Sequence, residues 1–300
     1  MQSLRIVFAG SPDAAVPSLR ALAAGPHDVV AVITREDSPQ GRKRVLTPTP
    51  VAVAAEELGL PVIRANRLAA VGDDVLALAA DLGVVVAYGG LIRAPLLSAP
   101  RLGWINLHFS LLPRWRGAAP VQRAIMAGDT ETGAAVFRLV DELDAGPVYA
   151  ELRRPIGHHE TAGHLLGELA ESGAELLRRV VDSLADGSAQ ALEQSGEVTL
   201  APKLTLDDAR IDWARPAESV LAQIRGVTPE PGAFTEVDEA RVKVLDAAAD
   251  RDGPPLAPGS LELRGGRLLA GTADAPIELV TVQPAGKLAM SGVDWWRGRR

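Results

Sequence analysis

Val84-Val85-Val86-Ala87-Tyr88 is the stretch of this 300-residue sequence that decides its fold. A run of apolar residues without polar alternation predicts a strand covered on both faces, the kind found in parallel sheets flanked by helices. Upstream, Leu4 to Phe8 is a second apolar run ending at Gly10, and Val16 to Ala24 follows with Leu19 and Leu22 at helical spacing. Val29 to Ile33 reads as a strand and Thr34 to Pro48 as a loop. Thr49-Pro50 then opens a helix that runs through Leu58 and stops at Gly59, with proline at the first helical position. A strand near Val62 and a helix from about Asp73 to Leu82 complete this half.

Downstream, Trp104 to Ser110 predicts a strand and Pro120 to Ala127 a helix. Ala134 to Val140 and Val148 to Ile156 flank a turn containing Asp144-Ala145-Gly146-Pro147, and a long helix from Thr161 to Leu184 closes at Gly187. This alternation predicts a Rossmann-like α/β domain over residues 1–187, an open and mostly parallel sheet with helices on both faces. Residues 188–208 are polar and broken by Gly196 and Pro202, as in a linker. Over 209–300 one short helix, Ala217 to Arg225, precedes five strands bounded by Gly and Pro: Gly232 to Val237, Ala240 to Leu245, Gly259 to Leu263, Arg267 to Gly271 and Ile277 to Val282. Their spacing predicts a small C-terminal β-barrel domain of the OB-like kind.

Composition narrows the chemistry. Hydrophobic residues make up 47% of the chain but aromatics only 4%, so the core must be built from Ala, Val, Leu and Ile. Cysteine is absent, which removes disulfides, thiolate nucleophiles and thiolate metal ligands. With 31 basic and 38 acidic residues the net charge is −7, which argues against indiscriminate binding to nucleic acid or to an anionic membrane. Lysine occurs only at Lys43, Lys203, Lys243 and Lys287, so positive charge is mostly guanidinium, suited to phosphate. The start, Met1-Gln2-Ser3-Leu4-Arg5, lacks the features of a targeting segment, and a cytoplasmic monomer with no membrane partner is expected.

Asn106, His108 and Ser110 alternate along one predicted strand, so their side chains share a face while Leu107 and Phe109 take the other. A His, an Asn amide and a carboxylate such as Asp144 at the mouth of a sheet supply a proton-transfer group, an oxyanion donor and a charge that stabilises imidazolium. Acyl transfer is the natural reaction of such a set. Nicotinamide dinucleotide binding is not expected, because Gly10-Ser11-Pro12-Asp13 lacks the further glycines that seat a pyrophosphate. Ser110 is not flanked by the glycines of a nucleophile elbow. His158-His159-Glu160 reads as a solvated loop at a helix entry rather than a metal site, and no metal is expected.

The run Asn106-Leu107-His108-Phe109-Ser110-Leu111-Leu112-Pro113, with Gly117 after it, resembles the signature of the folate-dependent formyltransferase family. Val86-Ala87-Tyr88-Gly89 resembles the family's pterin-side loop, and Leu143-Asp144-Ala145-Gly146-Pro147 its catalytic-aspartate loop. Ala9-Gly10-Ser11-Pro12-Asp13, Gly117 to Ala124, Ala209-Arg210-Ile211-Asp212-Trp213 and Gln283-Pro284-Ala285-Gly286-Lys287 narrow the resemblance to members that act on tRNA, over essentially the whole chain. The sequence departs from the usual pattern at Ala14, Gly90, Phe109 and Glu142 to Ala145. The resemblance implies transfer of the formyl group of 10-formyltetrahydrofolate to the amine of initiator methionyl-tRNA in translation initiation. It implies Asn106 and His108 as stabilisers of a tetrahedral intermediate, and Asp144 as partner of His108 that helps, through water, to remove the ammonium proton of the attacking amine. It further implies Val86, Ala87, Tyr88, Gly89, Ser110, Leu111, Leu112 and Pro113 around the folate. Enzymes that formylate glycinamide ribonucleotide or nucleotide sugars, and formyl-folate hydrolases, share the Asn-x-His and Asp. Arg42-Lys43-Arg44, with Arg35 nearby, matches the loop that enters the tRNA acceptor end, and with the appended barrel it separates the tRNA-acting members from these.

Overall fold

The computed structural model describes residues 3–41, 43–250 and 253–299. The chain divides into two compact units, one of Met1–Pro120, Thr132–Arg154 and Leu166–Ala201, the other of Val121–Glu131, Pro155–Leu165 and Pro202–Arg300. Elements follow in the order β1 (Arg5–Gly10), α1 (Val16–Ala23), β2 (Asp28–Thr34), β3 (Ser38–Gln40), β4 (Val45–Thr47), α2 (Pro50–Glu57), β5 (Val62–Arg64), α3 (Gly72–Ala77), β6 (Leu82–Val86), β7 (Trp104–His108) and β8 (Arg116–Gly117). Then come α4 (Pro120–Met126), β9 (Glu131–Arg138), β10 (Val148–Pro155), α5 (Ala162–Asp186) and β11 (Leu200–Ala201).

The first unit is built on a seven-stranded sheet with spatial order β10-β9-β7-β6-β1-β2-β5. β7, β6, β1, β2 and β5 pair in parallel, and β9 joins β7 antiparallel. From β1 the chain steps outward to β2 and β5, then returns to the other side of β1 for β6 and continues to β7. The order therefore reverses between β1 and β6, and the crevice beyond Gly10 and Val86 at this reversal is where open α/β sheets take ligands.

Local sequence explains the elements and their limits. All five residues of β6 are buried, as the unbroken apolar run requires. The strand stops at Val86 rather than continuing to Tyr88, because Ala87 adopts φ 48°, a left-handed conformation that cannot extend a ladder. The helix expected to reach Leu82 ends at Ala77, Ala79 turns left-handed at φ 47°, and Leu82 already belongs to β6. Thr49 caps α2, its hydroxyl accepting the Ala52 N–H at 3.1 Å. The segment expected as a loop from Thr34 to Pro48 carries the antiparallel ribbon β3–β4. His27, whose partners the sequence does not disclose, accepts the Leu4 N–H at Nδ1 and donates from Nε2 to Asp182 of α5 at 3.1 Å, pinning the long helix to the start of β1.

The stretch 188–208 carries structure of its own. Val148 and Leu192 exchange two backbone hydrogen bonds, of 2.7 and 2.9 Å, and β11 pairs with β8, so the chain stays on the first unit as far as Ala201.

The second unit contains α6 (Leu206–Ala209), α7 (Ala217–Gly226), β12 (Phe234–Val237), β13 (Ala240–Ala249), β14 (Leu261–Arg264), β15 (Arg267–Ala270), β16 (Ile277–Pro284), β17 (Met290–Ser291) and α8 (Gly292–Arg297). Its sheet is antiparallel in the order β12-β13-β16-β15-β14, with β17 added to β16. Register shifts on either side of Asp246 bend the long strand β13, which pairs with β12 at one end and β16 along the other, and give the sheet its barrel-like curl. Val220, Ile224, Phe234, Val244, Leu279 and Trp295 form its core. β17 and α8 have no counterpart in the sequence expectation. Among the described residues no helix is long and apolar enough to cross a membrane.

Gly83 of β6 lies beneath the fully buried Trp104 ring, and a Cβ there would stand 2.1 Å from ring carbons. Gly83→Ala should therefore destabilise the protein by about 2 kcal/mol or more through overpacking, read as a drop of several degrees in thermal unfolding.

Candidate active site

β7 delivers Asn106 and His108 to one face of the sheet, two residues apart, while Leu107 on the other face packs against Gly173 of α5. His108 is only 6% exposed. Its Nε2 lies 2.9 Å from the carbonyl of Trp115, and because a carbonyl only accepts, Nε2 carries a proton. Nδ1 then faces Asp144, 3.9 Å from Oδ2. That separation is beyond a direct hydrogen bond. The ring stands edge-on to Phe137 at 6.3 Å.

Asp144 sits in the turn between β9 and β10 with φ 47° and is 9% exposed. Its Oδ2 accepts the Gly117 N–H at 2.8 Å, which offsets part of the cost of burying the carboxylate. Gly117 reaches this position because β8 lies against β11: a Cβ on Gly117, at φ 129°, would meet the Ala201 carbonyl oxygen at 2.6 Å. The Asp144 carbonyl in turn accepts from Nε2 of Gln194 at 2.7 Å.

Asn106 differs from these satisfied groups. Its amide oxygen is buried and has no hydrogen-bond partner among the described residues. Ser18, Thr132, Gln223 and Asp250 also hold buried side-chain oxygens without a partner, and Asn106 is set apart from them by sharing β7 with the buried His108.

The other expected site residues are placed as follows. β7 ends at His108, so Ser110 does not continue the alternation, and its hydroxyl donates to the Arg114 carbonyl at 2.7 Å and closes the turn. Leu112 packs with Ala135 and Phe137, Pro113 is buried, and Leu111 is half-buried beside Gly133. Val86 is buried at the end of β6, whereas Ala87 and Gly89 are exposed with left-handed backbones at the β1/β6 crevice. Tyr88 points into the core, donating from its hydroxyl to the Ala65 carbonyl at 2.8 Å, and burial raises its phenol above the usual value. Lys43 and Arg44 are exposed at the turn between β3 and β4, and Arg42 lies outside the described residues. His158 and His159 are exposed, and Glu160 bonds His164 at 2.8 Å. Among the described residues no three His, Cys, Asp or Glu side chains gather as for a metal.

Two contributors escaped the sequence reading. Arg35, grouped there with the basic loop, donates to the carbonyls of Tyr88 at 3.3 Å and Gly89 at 2.7 Å and so holds the exposed 86–89 loop. Gln194 lies in what reads as linker, and no motif distinguishes it. A buried imidazole beside a carboxylate and next to an open amide, at the carboxyl end of a parallel strand, can stabilise an oxyanion and move a proton.

Comparison with known proteins bears on this arrangement. The formyl transferase family model matches residues 4–181, and the model of the formyl transferase C-terminal domain matches 203–300. The chain is 61% identical over 299 residues to the methionyl-tRNA formyltransferase of Clavibacter sepedonicus, covering 98% of this chain and 97% of that protein. It is 62% identical over 296 residues to that of Leifsonia xyli subsp. xyli, again covering 98% and 97%. Among solved structures it shares its fold with an N-formyltransferase from Helicobacter canadensis in complex with folinic acid and dTDP-3-aminofucose, at TM-score 0.71 and 16% identity, over 94% of this chain and 99% of that one.

If Asn106 is kept for a ligand rather than for the fold, replacing it by the apolar near-isostere in Asn106→Leu removes an unpartnered acceptor at no structural loss. Thermal unfolding of that variant should be unchanged or shifted upward. A fall of several degrees would return Asn106 to a structural role.

Proposed function

The chain belongs to the formyl transferase family in both of its domains, and from that premise we propose that it transfers the formyl group of 10-formyltetrahydrofolate to the amino group of methionyl-initiator tRNA, for the initiation of translation. The observation that carries the chemistry is the open amide of Asn106 beside the buried His108–Asp144 pair. The acceptor rests on the high identity to methionyl-tRNA formyltransferases over a length that includes 203–300.

Each side chain then has a definite task. The Asn106 amide N–H donates to the formyl oxygen as negative charge grows there, and its unpartnered oxygen takes an N–H of the incoming amine. With Nε2 committed to the Trp115 carbonyl, His108 takes the amine's proton at Nδ1, on the side where Asp144 stabilises the imidazolium. As the bond from the formyl carbon to the folate nitrogen breaks, that nitrogen recovers the proton. Ala87 and Gly89 offer exposed backbone at the crevice to a flat heteroaromatic such as a pterin, with Val86 beneath them, and Tyr88 contributes through its main chain. Ser110, Leu111, Leu112 and Pro113 shape the wall behind. Lys43 and Arg44, with Arg42, meet acceptor-stem phosphates, and the domain over 209–300 supplies binding remote from the chemistry that orients a long rigid tRNA. The enzyme acts as a monomer in the cytoplasm.

Incubation with formyl-tetrahydrofolate and either methionyl-tRNA or glycinamide ribonucleotide tests the reading, which requires formylation of the tRNA. His108→Ala and Asn106→Ala should each lower turnover about 100-fold or more while folate binding persists, and Asp144→Asn should be similarly slow. Near-normal turnover by folded His108→Ala would overturn the assignment. Replacing Arg42, Lys43 and Arg44 together by Ala should weaken tRNA binding and flatten its log–log salt dependence by about 0.7–0.9 for each phosphate no longer neutralised, with formyl-folate affinity unchanged.

A further inference from the structure

Gln194, in the segment between α5 and β11, makes four hydrogen bonds with a single side chain. Its Nε2 donates to the carbonyl of Asp144 at 2.7 Å and to that of Gly146 at 2.8 Å. Its Oε1 accepts from Nε of Arg116 at 3.1 Å and from Nη2 of the same guanidinium at 2.7 Å. The remaining arm of Arg116 donates from Nη1 to Glu142 at 3.0 Å, on the other flank of the same turn. The orientation of the amide is unambiguous: a guanidinium has only donors and a carbonyl only accepts, so the reversed amide would lose every bond.

We infer that Gln194, aligned by Arg116, is a positioning residue for formyl transfer, fixing the left-handed Asp144 turn so that the carboxylate faces Nδ1 of His108. The inference rests on the functional reading above. Three features carry it. Asp144 is held at φ 47°, outside the conformations a non-glycine residue prefers, and such a residue keeps its place only where its surroundings over-determine it. Gln194 bonds the main chain on either side of Ala145, so it governs where the turn sits without touching the reacting groups. The two guanidinium bonds polarise the amide and strengthen both of its donations, and Arg116 adjoins Gly117, whose N–H holds the Asp144 carboxylate itself. Backbone and carboxylate of one residue are thus located from a single two-residue strand and the side chain next to it.

Kinetics on the full-length enzyme decide the matter, always against wild type with the same folate and tRNA. Gln194→Met keeps length and removes both donors. It should lower kcat about tenfold or more and leave KM for formyl-folate and for methionyl-tRNA within about threefold. Gln194→Glu should be as slow, because it retains the bonds to Arg116 but presents a carboxylate to two carbonyls. In the double variant Gln194→Met with Asp144→Asn, the loss should be no greater than that of Asp144→Asn alone, since Gln194 acts only through Asp144. A folded Gln194→Met with kcat within about twofold of wild type, a loss carried by KM, or losses that multiply in the double variant would each overturn the inference. Should Gln194→Met fail to fold, Arg116→Lys serves in its place: it keeps the charge but not the planar fork, and it must lower kcat at unchanged KM for the inference to stand. Wild type that formylates no tRNA would remove the functional reading and this inference together, whereas active wild type with equally active variants removes only the latter.

Discussion

A carboxylate taken out of water is costly to hold, and the arrangement of the first unit follows from how Asp144 is held. Desolvating such a group costs several kcal/mol unless donors and positive charge replace the lost water. The Gly117 N–H, at 2.8 Å, is the replacement donor and comes from β8, while β7 sets the His108 ring 3.9 Å away, where a proton arriving at Nδ1 would meet the carboxylate. For Gly117 to aim its N–H at the carboxylate, β8 must lie against β11, and β11 exists only because the chain returns to the sheet after α5. The placing of one carboxylate therefore draws on four separated stretches of sequence: its own turn, β7, β8 and β11. The segment 188–201 belongs to the first unit and, through β11, holds β8 and its Gly117 in place.

The central sheet was legible because its strands announce themselves. β6 is buried along its whole length, and Thr49-Pro50 caps and opens α2 in the ordinary way, so local chemistry and tertiary environment agree. Errors fell where backbone conformation departs from what a side chain advertises. Nothing in Ala87 or Ala79 signals a left-handed residue, yet these two positions end β6 early and leave the preceding helix short. The β3–β4 ribbon was read as a loop because its strands are three residues each and fully exposed, with no buried face to impose a period of two.

The site divides along the same line. Asn106 and His108 lie two apart on β7, as alternation along a strand predicts, whereas Asp144 was named by its resemblance to the family's aspartate loop and not by the turn that carries it. Ser110 was placed on the same face by extending that alternation one step too far, and its hydroxyl proves to close a turn. Tyr88, expected near the folate, spends its ring in the core and leaves only main chain at the crevice. Gln194 was invisible and Arg35 was counted only with the basic loop, because each acts on carbonyl groups, which every residue possesses and which no motif can record.

The pattern of satisfaction around β7 separates structural from reactive polarity. Ser110, Gln194 and Tyr88 each donate to main-chain carbonyls and fix backbone, and Arg116 holds the Gln194 side chain that does so. Asn106 alone among these presents a buried acceptor with nothing opposite it. An unmade bond of that kind costs on the order of 1–3 kcal/mol, a cost that an incoming donor recovers. In a transferase that differential has a direction. A site already satisfied binds nothing more tightly at the transition state, whereas on the proposed reading Asn106, beside His108 and Asp144, gains its missing interaction as the amine closes on the formyl carbon. The rigid turn, the buried carboxylate and the open amide are parts of one device, in which the fold bears the cost of order before the substrates meet.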